Sequence, residues 1–121
     1  MDTKGVLLDN SKKEYKGTID FKKGSKDSEG NENESVILLS EDAKNVSIPI
    51  LLCNEDDVRG SHAASAGRID DKKMFYLKSR GFSEIEAKKI IIKASFSKII
   101  EKIGDVKLQN RIFEEIDRRI I

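Results

Sequence analysis

Cysteine, proline and tryptophan are scarce in this chain of 121 residues, which contains one cysteine, one proline and no tryptophan. A single cysteine excludes an internal disulfide framework and is typical of a reducing compartment. No apolar run approaches the ~18 residues that a membrane-spanning helix needs. The first residues, Met1 to Gly5, lack the apolar segment of a secretory signal peptide. We therefore expect a cytoplasmic protein that does not enter a membrane.

Hydrophobic residues are also fewer than usual, at 37% of the chain, and charged residues account for another 37%. This composition favours a thin core or a part of a larger assembly. Residues 1–60 contain 9 basic and 13 acidic side chains, a balance of −4, whereas residues 61–121 contain 14 and 9, a balance of +5. The basic half allows an alternative function, a small nucleic-acid-binding or general protein-interaction module. Mixed charges favour solvated helix faces instead, since Lys88, Lys89 and Lys93 are offset by Glu84, Glu86 and Glu101.

One segment has the alternation of a half-buried strand. Tyr15, Ile19 and Phe21 are apolar at every second position, and Gly17 fills the remaining place. A glycine inside a strand pattern marks a bulge or a close approach of another group to the backbone. We therefore expect Gly17 to lie at one of these two features.

The rest of residues 1–58 also favours strands. Apolar runs predict three further strands, at residues 5–8, 35–40 and 46–53. Residues 24–33 contain no apolar side chain and predict a loop. Pro49 interrupts the last run and belongs at an edge, a bulge or a strand start. With no helix between them, these strands suit either an antiparallel sheet or the coils of a β-helix.

Three helices are predicted after residue 69. Asp70 can cap the first helix, and Gly81 can supply the left-handed position after its end. Ser83 and Glu86 have the spacing of a capping box at the start of the second helix. Asp105 can cap the third, in which Leu108, Ile112, Ile116 and Ile120 recur at every fourth position.

The only histidine, His62, lies near Cys53 and three acidic residues, Glu55, Asp56 and Asp57. A thiolate, carboxylates and an imidazole can together ligate iron or zinc. The alternatives are that the acidic residues belong to turns and that Cys53 is a small buried hydrophobe. No nucleophilic triad or phosphate-binding loop is present in the sequence, so we expect no enzymatic activity.

Two motifs resemble the C-terminal part of the SufB/SufD family, the scaffold subunits of the SUF machinery for iron–sulfur cluster assembly. They are Ser61-His62-Ala63-Ala64 and Phe75-Tyr76-Leu77-Lys78-Ser79-Arg80-Gly81. The resemblance implies a mixed β-then-α fold. Residues 1–58 would be the last coils of a right-handed parallel β-helix, and residues 59–121 a C-terminal lobe of three helices.

The same resemblance implies a non-enzymatic scaffold that docks a SufC-like ATPase through its helices and another SufB/SufD-like subunit through its strands. The expected partner-binding residues are Met74, Phe75, Tyr76, Arg80, Phe82, Ile85 and Ile92. An open end of the β-helix would also expose strand edges, so we expect self-association through the strands.

The resemblance also bears on the cluster itself. SufB-type chains have a cysteine at the position of Glu34 and a glutamate at that of Ala63, so this chain is more similar to SufD. His62 matches a family histidine at the scaffold interface. His62 and Cys53 are therefore the expected metal or cluster residues, with an iron–sulfur cluster expected in the full complex.

Overall fold

The computed structural model describes residues 1–120 and divides into two compact units, Met1–Gly67 and Arg68–Ile121. Within residues 1–120 the first unit contains five strands and the second contains three helices. The predicted order, strands followed by three helices, is confirmed. The division lies after Gly67, later than the boundary at residue 58 that the sequence predicted.

Strands of the first unit alternate between two sheets. They are β1 (Asp2–Leu7), β2 (Lys12–Phe21), β3 (Ser28–Leu38), β4 (Lys44–Cys53) and β5 (Val58–Gly67). One sheet has the order β1-β3-β5 and the other is the pair β2-β4. Every pair is parallel, so the alternative of an antiparallel sheet is excluded. Pro49 lies on β4, an edge strand of its sheet, as its missing N–H requires.

The two sheets face each other, and we call the facing surfaces the inner faces. Phe21 of β2 and Val36 of β3 are buried there. Gly30 of β3 lies so close to β2 that an added Cβ would be 2.8 Å from Ile19 Cγ2. Side chains of a strand alternate between its two faces, so every second residue of each strand points inward.

Two parts of the first unit differ from the sequence-based prediction. The predicted loop at 24–33 is a strand from Ser28 onward, and residues 59–67, expected at the start of the helical lobe, belong to β5 (Val58–Gly67). Both segments are rich in polar or small residues, which carry little intrinsic strand preference. They become strands because β3 pairs with β5 in register from Ser28 to Ile37, which satisfies their backbone hydrogen-bonding groups.

The second unit consists of α1 (Asp71–Ser79), α2 (Glu84–Ile100) and α3 (Val106–Arg119). The predicted caps are confirmed: Asp70 accepts from the Lys72 N–H, and Ser83 forms a complete capping box with Glu86. Asp105 caps α3. Gly81 has a φ of +96°, the left-handed conformation that glycine adopts without strain.

Apolar residues of α2 supply much of the interior of this unit. Ala87, Ile92 and Ile100 are buried, and the ion pair between Lys93 and Asp117 joins α2 to α3. Over the described part of the chain, no helix combines the length and the apolar character needed to cross a membrane.

Candidate functional site

Two carboxylates lie on the inner face of β3. Glu32 and Glu34 are two residues apart and therefore point to the same side of the strand. Their exposed fractions are only 2% and 3%. A buried carboxylate costs free energy unless hydrogen bonds or opposite charges compensate it. The partners of Glu32 and Glu34 therefore show which of their oxygens remain available for a further contact.

The carboxylate of Glu34 is fully engaged. It forms an ion pair with Lys13 of β2 and accepts a hydrogen bond from the Ser47 hydroxyl of β4. Asn45 Nδ2 in turn donates to Ser47 Oγ at 3.0 Å. Burial disfavours the charged form of Glu34, but the hydrogen bonds from Lys13 and Ser47 outweigh it and lower the pKa of this carboxyl. Both oxygens have protein partners, so Glu34 is a structural anion here.

The carboxylate of Glu32 is only half engaged. Tyr15 of β2 donates its hydroxyl hydrogen bond to Glu32 Oε1, and Thr3 Oγ1 donates to the Tyr15 hydroxyl at 3.4 Å. The bond to Glu32 raises the pKa of Tyr15 above its usual value of 10.0. Glu32 Oε2 is buried and has no hydrogen-bond partner among the described residues.

Gly17 makes room for this carboxylate. A Cβ placed on Gly17 would lie 1.5 Å from Glu32 Oε1, a separation that no side chain can adopt. Of the two features predicted for Gly17, the close approach is confirmed. Sequence reasoning missed Glu32 as the approaching group because its segment was interpreted as a loop. A signal for this strand is present in the sequence: Gly30, Glu32, Glu34 and Val36 lie at every second position and so share one face of a strand. Two of these four residues are charged in type, so the pattern does not look like the apolar alternation of a buried face.

His62 lies on β5 in register with Glu32 of β3. In-register residues of neighbouring parallel strands point to the same face, so His62 belongs to the inner-face row above Glu32. Unlike Glu32, His62 is exposed, because β5 is the last strand of its sheet. Cys53 is exposed at the end of β4, in register with Phe21.

The acidic residues between Cys53 and His62 act in turns. Glu55 Oε2 accepts from the Gly24 N–H at 2.9 Å, and Asp57 pairs with Lys26 at 3.6 Å. Within residues 1–120, no three histidine, cysteine or acidic side chains are grouped so as to hold a metal ion. Glu55 and Asp57 therefore have contacts of the kind that the alternative interpretation, as turn residues, predicts.

The expected partner-binding residues of the helical unit separate into exposed and buried ones. Phe75 and Tyr76 of α1 are 76% and 56% exposed, and Phe82 and Ile85 are exposed as well. The Arg80 guanidinium lies 5.3 Å from the centre of the Tyr76 ring. Met74 is half-buried. Ile92 is fully buried, so it cannot contact a partner in this conformation.

Comparison with known proteins assigns a family to this fold. Residues 1–95 match the family described as the SUF system FeS cluster assembly SufBD core domain. The chain is 30% identical over 116 residues to the iron–sulfur cluster assembly protein SufD of Bacillus subtilis, covering 96% of this chain. It is also 30% identical over 117 residues to SufD of Escherichia coli, covering 97% of this chain.

A third relative is an iron–sulfur cluster assembly SufBD family protein of Pyrococcus horikoshii, 32% identical over 101 residues, which are 84% of this chain and 22% of the relative. The chain spans about a quarter of the length of its SufD relatives, 26% of the Bacillus protein and 28% of the Escherichia protein. The family match covers both the sheet unit and the first helix of the helical unit. The chain therefore belongs to the SufB/SufD family of iron–sulfur cluster assembly proteins of the SUF system.

Proposed function

We propose that this chain serves as a non-enzymatic, cytoplasmic scaffold component of SUF-type iron–sulfur cluster assembly, in a role closer to SufD than to SufB. Its family membership over residues 1–95 is the observation that carries the proposal. The alternation of parallel strands between two sheets supports the further proposal that they are coils of a right-handed β-helix.

The helical unit is the proposed docking surface for a SufC-like ATPase. Large apolar side chains usually lie inside a protein, and a group of them at the surface is typical of an interaction site. Phe75 and Tyr76 of α1 are among the most exposed aromatic residues described. Phe82 lies between α1 and α2, and Ile85 lies in the first turn of α2; both are exposed. We propose these four residues, with Arg80 and the partly exposed Met74, as the contact surface, and we leave the buried Ile92 out of it.

The sheet unit is the proposed contact with another SufB/SufD-like subunit or with a second copy of this chain. An edge strand offers unpaired backbone groups to an incoming strand. β5 lies at the edge of one sheet and β4 at the edge of the other. The outer face of β4 adds an apolar row, made of Val46, Ile48, Ile50 and Leu52, each 39% exposed or more.

The iron–sulfur cluster is the cargo of this proposal, and His62 and Cys53 are its proposed contacts. Both side chains are exposed and can reach a partner. Because the described residues do not group three metal ligands, the proposal requires further ligands from another subunit of the complex.

Charge pairing argues against the nucleic-acid-binding alternative. Lys88 pairs with Glu84, and Glu115 pairs with both Arg118 and Arg119. The two arginines lower the pKa of Glu115 to about 2, so this carboxylate stays ionised and offsets their charge. A phosphate-binding surface needs cations that are not neutralised by neighbouring carboxylates.

The proposal is tested by mixing the purified chain with the SufC-type ATPase of the same organism and measuring the mass of the mixture by light scattering during size exclusion. A stoichiometric complex supports the docking role. A folded chain that elutes alone contradicts it.

A further inference from the structure

We propose that Glu32 is a positioning residue for His62: after a change of side-chain rotamer, its Oε2, which is unpaired in this conformation, accepts a hydrogen bond from the imidazole and fixes which ring nitrogen faces a metal ion or cluster. The inference rests on the proposed role of His62 and adds a residue to it.

Register brings the two side chains together. β3 and β5 are adjacent parallel strands, and Glu32 is the residue directly paired with His62. Neighbouring strands lie about 4.8 Å apart, so paired side chains on one face lie within reach of each other. A glutamate and a histidine are both long enough to span this separation through a rotamer change.

The side-chain donors closest to the two carboxylates on the inner faces already have partners. Tyr15 donates to the other oxygen of Glu32, and Thr3 donates to Tyr15. Lys13 and Ser47 both donate to Glu34. Glu32 Oε2 is left without a partner in the described part of the chain, which is costly for a buried carboxylate oxygen.

The neighbours of His62 on its own strand cannot supply the missing donor. Gly60 and Ala64, the inner-face residues on either side of it, have no polar side-chain atoms. His62 is therefore the residue of β5 that is in register with Glu32 and whose side chain carries a hydrogen-bond donor. The register, together with the partners that the neighbouring donors already have, is what assigns the pair.

The pairing has a chemical consequence for the proposed site. A neutral imidazole carries one N–H donor and one nitrogen lone pair. When one nitrogen donates to a carboxylate, the tautomer is fixed and the other nitrogen is free to bind a metal, with its basicity raised. Glu32 would thus orient the His62 ring. The ring nitrogen that does not bond to Glu32 would then be free to bind a metal at the β5 edge of the sheet.

The test is the tautomer ratio of His62 in the full chain, measured by long-range ¹H–¹⁵N NMR above the imidazole pKa. His62 is the only histidine, so its signals need no assignment. We expect one tautomer to dominate in the wild type and its excess to fall roughly tenfold in Glu32→Ala, which removes the acceptor and so the hydrogen bond. Glu34→Ala is the matched control, because both oxygens of Glu34 are engaged elsewhere, and it should leave the ratio unchanged.

Two results would overturn the inference. One is a wild-type ratio equal to that of the urea-unfolded chain, which needs no variant and so remains decisive if Glu32→Ala fails to fold. The other is an unchanged ratio in folded Glu32→Ala. Neither measurement involves the ATPase or the cluster, so the proposed scaffold function can fail or survive independently of this result.

Discussion

The carboxylate of Glu32 occupies the space in which a side chain at Gly17 would begin, 1.5 Å from the position of the missing Cβ. A residue of β2 is thus constrained to glycine by a buried carboxyl group on β3. Gly17 and Tyr15 of β2 both contact the Glu32 carboxyl group of β3, so Glu32 joins the two sheets of the first unit at this position.

The substitution Gly17→Ala should destabilise the protein by about 1–3 kcal/mol, because the added methyl overlaps a buried carboxylate. The free energy of unfolding is measured by urea titration. Gly104→Ala is the matched control, since an added Cβ there has nothing within 4 Å. Combining Gly17→Ala with Glu32→Ala should cost less than the sum of the two separate effects, because the overlap disappears. Strictly additive effects would contradict the contact.

The anion at Glu34 should make stability depend on acid pH. Its pKa is lowered in the folded protein from the ordinary value of 4.5, so its contacts stabilise fully above that value and are lost as the pH falls through the folded pKa. Glu34→Gln should cost about 1–3 kcal/mol at pH 7, and the cost should shrink when unfolding is measured at progressively lower pH below 4.5. Glu29→Gln, on the same strand but exposed, is the control. A cost for Glu34→Gln that does not change with pH would argue against an ionised Glu34.

Phe75→Ala should leave the stability of the helical unit nearly unchanged, within about 0.5 kcal/mol, because the ring is 76% exposed. The same change should weaken ATPase binding, since Phe75 lies on the proposed docking surface. Thermal unfolding and a binding titration measure the two effects. Ile92→Ala is the converse case and should cost about 2–5 kcal/mol, because Ile92 is fully buried. Large loss of stability in Phe75→Ala would place the ring in the core.

Self-association should depend on the outer face of β4. Ile50→Asp places a charge in the exposed apolar row and should lower the mass measured by light scattering at high protein concentration. Asn110→Asp is the control, because it adds the same charge at an exposed position of α3, outside the strands. A wild-type chain that stays monomeric at high concentration would contradict association through the strands.

The helical unit was predictable from sequence because its signals are local. Asp70, Ser83 and Asp105 cap helices through residues only two or three positions away, and the structure has these contacts. The strand that contains Tyr15, Ile19 and Phe21 was predictable for the same reason, since alternation of apolar residues indicates burial on one face. Gly17 was correctly singled out, although the group that approaches it was not identified.

β5 and the first half of β3 were missed because nothing local makes them strands. Ser61, Ala63 and Ala66 have little strand preference, and pairing with a segment about thirty residues earlier decides their conformation. The same pairing brings Glu32 under His62 and aligns Glu34 with Ala64. Side chains that meet across strands cannot be matched from one sequence without the register, so the buried network of the candidate site emerged only from the fold.

The most direct test of the scaffold account is the mass of the complex formed between this chain and the SufC-type ATPase of its organism, measured by light scattering during size exclusion. We predict a stoichiometric complex that is weakened by the double substitution Phe75→Ala and Tyr76→Ala. Val106→Ala, which removes an exposed apolar side chain of α3, should not affect it. A chain that is folded by circular dichroism and elutes without the ATPase would contradict the account.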